Sequence, residues 1–347
     1  MQRIIACILS LLPLPLWAES WPLETHATPF DYDSPALSLD YTPLDQAAKP
    51  WIICVSYPHL KDAYWLSVNY GMVEEAERLG VGFRLVEAGG YPNLDRQIEQ
   101  IRDCVAQGAD ALIVGTVSFD GLTPTILELS QTVPVIAAVN DIADSGIAAK
   151  AGVSWYEMGA TAGRFIAARH PPGSAPVQLA WFPGPKGAGW VSFVEAGFRD
   201  AIADSAAMIA LTKYGDTGRE IQVSLVEETL DSGIHIDYLV GSAPTAEVAV
   251  SILRARGLQD QISIVSDYMS HAVFRGIRRG RILAAPTDFP ITQGRLAIEM
   301  AVRAIEGTLT IRHAGPRIRL VVSDTVDSTD LVGTLAPASF IPVFEVE

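Results

Sequence analysis

Residues 51–90 read WIICVSYPHLKDAYWLSVNYGMVEEAERLGVGFRLVEAGG, and their periodicity decides the fold. Ile52 to Val55 is a short unbroken apolar run, the pattern of a strand buried on both faces. Leu66, Tyr70, Val73, Ala76 and Leu79 then recur at spacings of four and three, one stripe of an amphipathic helix that Gly80 ends. Phe83 to Val86 reads as the next strand. Strand, helix and strand within about 30 residues make a βαβ unit, which implies a parallel sheet.

Downstream the unit repeats. Asn93 is placed to cap a helix whose buried stripe is Leu94, Ile98, Ile101 and Val105, with Gly108 past its end. Ala111 to Val114 is a strand, Leu122 to Leu129 a shorter helix, and Val133 to Val139 a strand. Met158 to Ala168 forms another helix, and His170-Pro171-Pro172-Gly173 stops it, as a crossover between lobes would. The alternation then restarts: strand Val177 to Phe182, helix Val191 to Ile202, strand Met208 to Lys213, helix Ile221 to Leu230, strand Tyr238 to Val240, helix Thr245 to Arg256. Strand Ile262 to Val265, helix His271 to Arg279, strand Ile282 to Ala285 and helix Thr292 to Ile305 complete it. The fold class is α/β, two Rossmann-like doubly wound lobes.

Upstream, residues 19–48 are rich in Pro, Asp and Ser without a period, and read as an irregular extension. Residues 1–18 carry Arg3, an apolar stretch from Ile4 to Leu16 and a small residue, Ala18, the pattern of a cleaved export signal. That stretch is shorter than the ~20 residues a spanning helix needs, so the mature chain is expected to be exported and, in a bacterium, periplasmic. Expected domain limits are residues 49–170 with 289–315 for the first lobe, and 171–288 with 316–347 for the second lobe and tail.

Twenty-five Lys and Arg face 40 Asp and Glu, a formal charge of −15, which argues against polyanionic partners such as nucleic acid or an anionic membrane surface. Three cysteines occur. Cys7 leaves with the signal, while Cys54 in a core strand and Cys104 in a helix are expected as buried thiols. Pairing stays open, because sequence does not give their Cα separation. No CxxC, CxxH or HExxH spacing is present, so neither metal nor cofactor is expected. The glycines from Gly184 to Gly189 lack the order of a P-loop and read as a flexible turn into the next helix.

Ligands in open parallel sheets sit beyond the carboxyl ends of strands, and the loops there are aromatic. Tyr64 and Trp65 follow the first strand, Tyr91 the second, and Trp155 and Tyr156 follow Gly152-Val153. The second lobe adds Trp181, Trp190 and Asp267-Tyr268. Taken singly, Trp181 and Trp190 read as packing residues. Tyr64, Trp65 and Trp155 read as cleft residues, because exposed rings there would be costly without a purpose.

Val55 to Gly71, Glu77-Arg78-Leu79-Gly80, Gly108 to Val114, Val133 to Ile136 and Glu195-Ala196-Gly197-Phe198 together resemble the ribose/galactose type of periplasmic binding proteins, over roughly Trp51 to Gly307. The resemblance implies the type I periplasmic binding protein fold, with a three-segment hinge that lets the lobes close on a small ligand. Asn140-Asp141 departs from the Asp-Arg pair of sugar-binding relatives. With Tyr64 and Trp65, it makes the chain similar to members that bind trimethylamine N-oxide and signal to a membrane sensor histidine kinase. That similarity implies an aromatic ligand box of Tyr64, Trp65, Tyr91, Trp155 and Tyr268 beside Asp267, with Asp62, Trp190 and Asp288 as further ligand positions. Rings attract a methylated cationic nitrogen at ~0.5 to 2 kcal/mol each, while hydroxyl or indole donors suit the oxide oxygen.

Other classes compete. The six histidines show no spacing that pairs them with a nucleophile, and there is no Gly-x-Ser-x-Gly elbow, which lowers the prospect of an enzyme. His59 reads as a rim residue. A receptor delivering a sugar or methylated amine to an importer shares every feature above except ligand and partner. A DNA-binding regulator built on the same lobes is excluded by the missing helix-turn-helix and the acidic charge.

Overall fold

A computed structural model describes residues 20–327 and 332–347. The expected export signal, residues 1–18, lies outside the described residues. The first sheet is built around β3 (Ile52–Tyr57), which is flanked in parallel by β4 (Gly82–Glu87) and β5 (Ala111–Val114), so that Ile53 faces Phe83 on one side and Ala111 on the other. β6 (Val135–Ala138) and β7 (Ala149–Ala151) extend it in parallel. Between them run α1 (Ala63–Leu79), α2 (Leu94–Ala106) and α3 (Thr123–Leu129). The Asp62 side chain accepts the Trp65 N–H at 3.1 Å to start α1, and Gly80 at φ 72° ends it in the left-handed conformation that glycine adopts without a Cβ penalty.

After β7 the chain passes to α4 (Trp155–Arg169) and the second sheet. There β8 (Val177–Gly184), β10 (Tyr238–Gly241), β11 (Ser263–Ser266) and β12 (Ala284–Thr287) run parallel, with β9 (Ala207–Tyr214) beside β8. α5 (Val191–Ile202), α6 (Arg219–Asp231), α7 (Ala243–Arg256) and α8 (His271–Arg278) connect them. α9 (Pro290–Ile305) and β13 (His313–Pro316) return to the first lobe, and β14 (Arg319–Val322) pairs antiparallel with β12 in the second. The chain therefore crosses three times, at 152–154, 288–289 and 317–318, which is the three-segment hinge of a type I periplasmic binding protein fold.

Three expectations are corrected. The 19–48 segment is not irregular: β1 (Trp21–His26) pairs antiparallel with β13, and β2 (Ala36–Tyr41) pairs with β1, adding a ribbon to the edge of the first sheet. Tyr41 and the backbone of Leu44 are tied to the buried Glu299 on α9. Second, α4 packs on α5 and not on the first sheet. A Cβ added at Gly159 would lie 1.9 Å from Val194 O, and one at Gly197 1.9 Å from Tyr156 O, so the two backbones touch. The first crossover hence precedes α4 and does not fall at residue 170. α1 and α9 are apposed in the same way through Gly71 and Gly294. The tail also divides, since β15 (Glu345–Val346) comes back to pair with β4.

Third, Cys54 and Cys104 are bonded, not free thiols. α2 lies over β3 and brings their Cα atoms to 5.9 Å, within the range a disulfide spans. The bridge sits in a core that also contains Ile101, Leu112 and Val114.

Candidate functional site

The strand carboxyl ends of the two lobes face each other, and six rings converge there. Tyr64 and Trp65 come from the first turn of α1, Tyr91 from the loop after β4, Trp155 from the start of α4, Trp190 from the residue before α5, and Tyr268 from the loop after β11. All are buried. Ring centroids lie 5.3 Å apart for Tyr64 and Tyr268, 5.0 Å for Trp155 and Trp190, 6.0 Å for Trp190 and Tyr268, and 6.3 Å for Tyr91 and Trp190. Trp65 meets Tyr64 edge-on at 6.1 Å. These are the tilted and edge-to-face arrangements that aromatic quadrupoles favour. Every ring proposed from the sequence is thus brought into one interlobe cluster.

The backbone is shaped to admit them. A Cβ at Gly115, just past β5, would lie 2.4 Å from Trp65 Cη2, and one at Gly184, the end of β8, 2.6 Å from Trp190 Cη2. Glycine at each strand end therefore makes the floor on which a tryptophan lies. Val139 adopts φ 69° after β6, a conformation that a β-branched residue takes only under tertiary constraint. Its carbonyl accepts the Trp155 indole N–H at 2.9 Å. Next to it the Asn140 amide donates to Thr116 O at 2.8 Å and to the Tyr91 hydroxyl at 3.2 Å. Asn140 thus holds a wall of the cluster, whereas the Asp141 carboxylate is turned to Lys150.

The acidic residues divide. Asp288 lies in the second crossover, fully buried, and its Oδ2 accepts the Tyr64 hydroxyl at 2.6 Å and the Gln293 amide at 2.8 Å, while Oδ1 has no partner. Burial pushes its carboxyl up, opposed by those two hydrogen bonds. Asp267 is also fully buried, and neither of its oxygens has a partner among the described residues. Burial raises it well above the ordinary carboxylate range, with its own backbone N–H in opposition. Asp62 is half-buried and caps α1 through Oδ1, and its charge reaches the rings, adding to the rise of the Tyr91 and Tyr268 hydroxyls. The Trp190 Nε1 is a buried donor that makes no well-formed hydrogen bond, although it approaches the Tyr91 hydroxyl and opposes the rise that burial gives that phenol. Unpaired buried polar groups are rare in folded proteins. Here an indole N–H and carboxyl oxygens without well-formed hydrogen bonds occur within and beside one aromatic cluster.

Trp181 does not join it. Its ring stacks on Phe198 at 4.2 Å and 4°, inside the second lobe, as the packing reading expects. Trp190, read singly as packing, is a cage wall. His59 is not a rim residue: it is fully buried and packs edge-on against Tyr91. The Gly184 to Gly189 turn is a contact point, because a Cβ at Gly189 would lie 2.1 Å from Asp141 O in the facing lobe. Asn140 and His59 are not legible in the sequence as residues that hold the walls, since each acts through a partner distant in the chain, whereas Gln293 acts on Asp288 only five positions before it, across the turn into α9. Among the described residues no group of His, Cys, Asp and Glu could hold a metal ion, and no helix is long and apolar enough to cross a membrane.

The chain matches the family described as periplasmic binding protein domain over residues 53–309. It is 36% identical to periplasmic protein TorT of Escherichia coli strain K12 over 99% of this chain and 97% of that one. Among solved structures it resembles an ABC transporter solute binding protein from Bradyrhizobium sp. BTAi1 with bound bis-tris, at 46% identity and TM-score 0.79, over 96% of this chain and all of that one. It also resembles a chain of the TorS sensor domain–TorT complex in the presence of TMAO (trimethylamine N-oxide), at 40% identity and TM-score 0.76, over 85% and 99%.

Proposed function

The chain belongs to the periplasmic binding protein family, and from that premise we propose that it binds trimethylamine N-oxide in the interlobe cage and relays its presence to the periplasmic domain of a TorS-type sensor histidine kinase. The carrying observation is the buried cage of six rings whose open polar groups are an indole N–H and carboxylate oxygens. The ligand has the matching form. Its three methyl groups surround a formally positive nitrogen and meet the ring faces, each worth ~0.5 to 2 kcal/mol. Its oxide oxygen accepts from Trp190 Nε1, a donor otherwise held only by a loose approach to the Tyr91 hydroxyl. Asp267 and the open Oδ1 of Asp288 suit the cationic side, where the ligand's positive nitrogen would favour their charged forms against the burial that raises both. A carbohydrate would instead need several donors and acceptors around its hydroxyls, and most of this wall is hydrocarbon. The reading is of a binding site and not of a catalytic one.

Relay follows from closure. Ligand held between walls from both lobes favours the closed form in proportion to its unequal affinity for the two forms, and a partner that distinguishes them reads occupancy. The relative crystallised with the TorS sensor domain supports this partner. A calorimetric panel of trimethylamine N-oxide, trimethylamine, glycine betaine, bis-tris, ribose and galactose tests the ligand, with trimethylamine N-oxide expected to bind most tightly. Binding of a sugar alone would overturn the reading. The likeness to an ABC transporter solute binding protein favours a second reading, a receptor that delivers a methylated amine to an importer. Association with a purified TorS-type sensor domain, measured with and without ligand, separates the two.

A further inference from the structure

The loop after β3 holds a histidine that is not itself a wall of the cage. His59 is fully buried, and its Nε2 lies 3.0 Å from Oγ1 of Thr217, a buried residue in the loop after β9 of the other lobe. The second ring nitrogen fixes the direction of that bond. The Lys61 backbone N–H donates to His59 Nδ1 at 3.3 Å. Nδ1 is therefore an acceptor, the proton is on Nε2, and His59 donates across the cleft to Thr217. The same imidazole packs against Tyr91 with centroids 5.5 Å apart, and Tyr91 in turn faces Trp190. Close by, a Cβ at Gly90 would lie 3.0 Å from Asp216 Oδ2, so the 216–217 turn sits tightly against the first lobe. The Lys61–Asp216 ion pair at 4.0 Å is partly exposed and adds little.

We propose that His59 is a positioning residue of the binding site: through Thr217 it fixes the Tyr91 wall when the lobes are closed, so that closure and a complete cage form together. This rests on the reading of the cage as the ligand site. With the lobes apart, water reaches both the imidazole N–H and the threonine hydroxyl. With the lobes closed, water is excluded, and either the bond is made or a buried donor is left unpaired. The contact therefore acts on the balance between open and closed forms, and through it on apparent ligand affinity.

Thr217→Val keeps the shape of the side chain and deletes the acceptor. The expected result is trimethylamine N-oxide binding weakened about 5- to 100-fold by calorimetry, with an unchanged ligand-free melting temperature and a larger radius of gyration in X-ray scattering. Thr217→Ser restores the acceptor and should bind within about 2-fold of the parent protein. Equal affinity of Thr217→Val and the parent, or a loss in Thr217→Ser as large as in Thr217→Val, overturns the proposal. Scattering keeps the two readings apart. A parent protein that binds no amine oxide refutes the cage, whereas an unchanged radius of gyration in Thr217→Val refutes the role of His59.

Discussion

Trp190→Phe isolates the donor on which orientation of the ligand depends. The indole sits 5.0 Å from Trp155 and 6.0 Å from Tyr268, centroid to centroid, and its Nε1 makes no well-formed hydrogen bond, only an approach to the Tyr91 hydroxyl. Phenylalanine keeps an aromatic face in the wall and removes only the N–H and the outer ring. A hydrogen bond to a charged acceptor contributes about 1.5 to 3 kcal/mol, so affinity for trimethylamine N-oxide should fall about 10- to 150-fold from this bond. Loss of ring area weakens the attraction for any methylated cation by a further fraction of the ~0.5 to 2 kcal/mol per ring. Tetramethylammonium has the methyl face without the oxygen and therefore measures that second loss alone. Titrating both ligands into parent and variant by calorimetry gives the decisive ratio. The preference for the oxide over tetramethylammonium should drop at least about 10-fold. If the two affinities fell in parallel, Nε1 would not be the oxide's donor and the assigned orientation would be wrong.

Trp155→Ala removes a wall and the indole bond to Val139 O. Circular dichroism should show retained folding, and binding should weaken at least about 2-fold from the lost ring alone; unchanged calorimetric binding would remove Trp155 from the site. Reducing the Cys54–Cys104 bridge opens a loop with a sequence separation of 50. Chain entropy puts that loss at about 4 kcal/mol, seen as a lower denaturant midpoint with reductant, while the Cys54→Ser/Cys104→Ser double variant should show no reductant effect. His313 is buried, its pKa is pushed down to about 3 by burial and then by Lys150, and its Nδ1 accepts the Phe30 N–H. Because the folded value lies below the ordinary one near 6.5, its neutral form supports the fold at neutral pH, and that support is lost as pH falls from about 6.5 toward 3. His313→Gln should therefore lose about 2 to 3 kcal/mol less than the parent between about pH 7 and 4.5, read from urea midpoints at the two pH values; equal losses would assign the acid sensitivity elsewhere.

The repeating strand and helix periods from Ile52 onward carried the α/β lobes, because burial of one helical stripe or one apolar run is a property of neighbouring residues. Strand-end loops rich in Tyr and Trp carried the cage, because parallel sheets put those loops at a common edge. Tertiary structure decided the rest. β1 forms a local hairpin with β2, but its place at the edge of the first sheet comes from pairing Leu23 with Pro316, a partner no local pattern near residue 23 can reveal. The stripe of α4 announces a helix but not which lobe it covers; the close approach of Gly159 and Gly197 to the facing backbones decides that. Whether Cys54 and Cys104 meet depended on where α2 lies over β3. His59, Asn140 and Asp288 gained their roles from Thr217, Tyr91 and Tyr64, each more than forty positions away. Periodicity fixes what is buried near in the chain, whereas hydrogen bonds between crossing segments are set by how the chain returns upon itself.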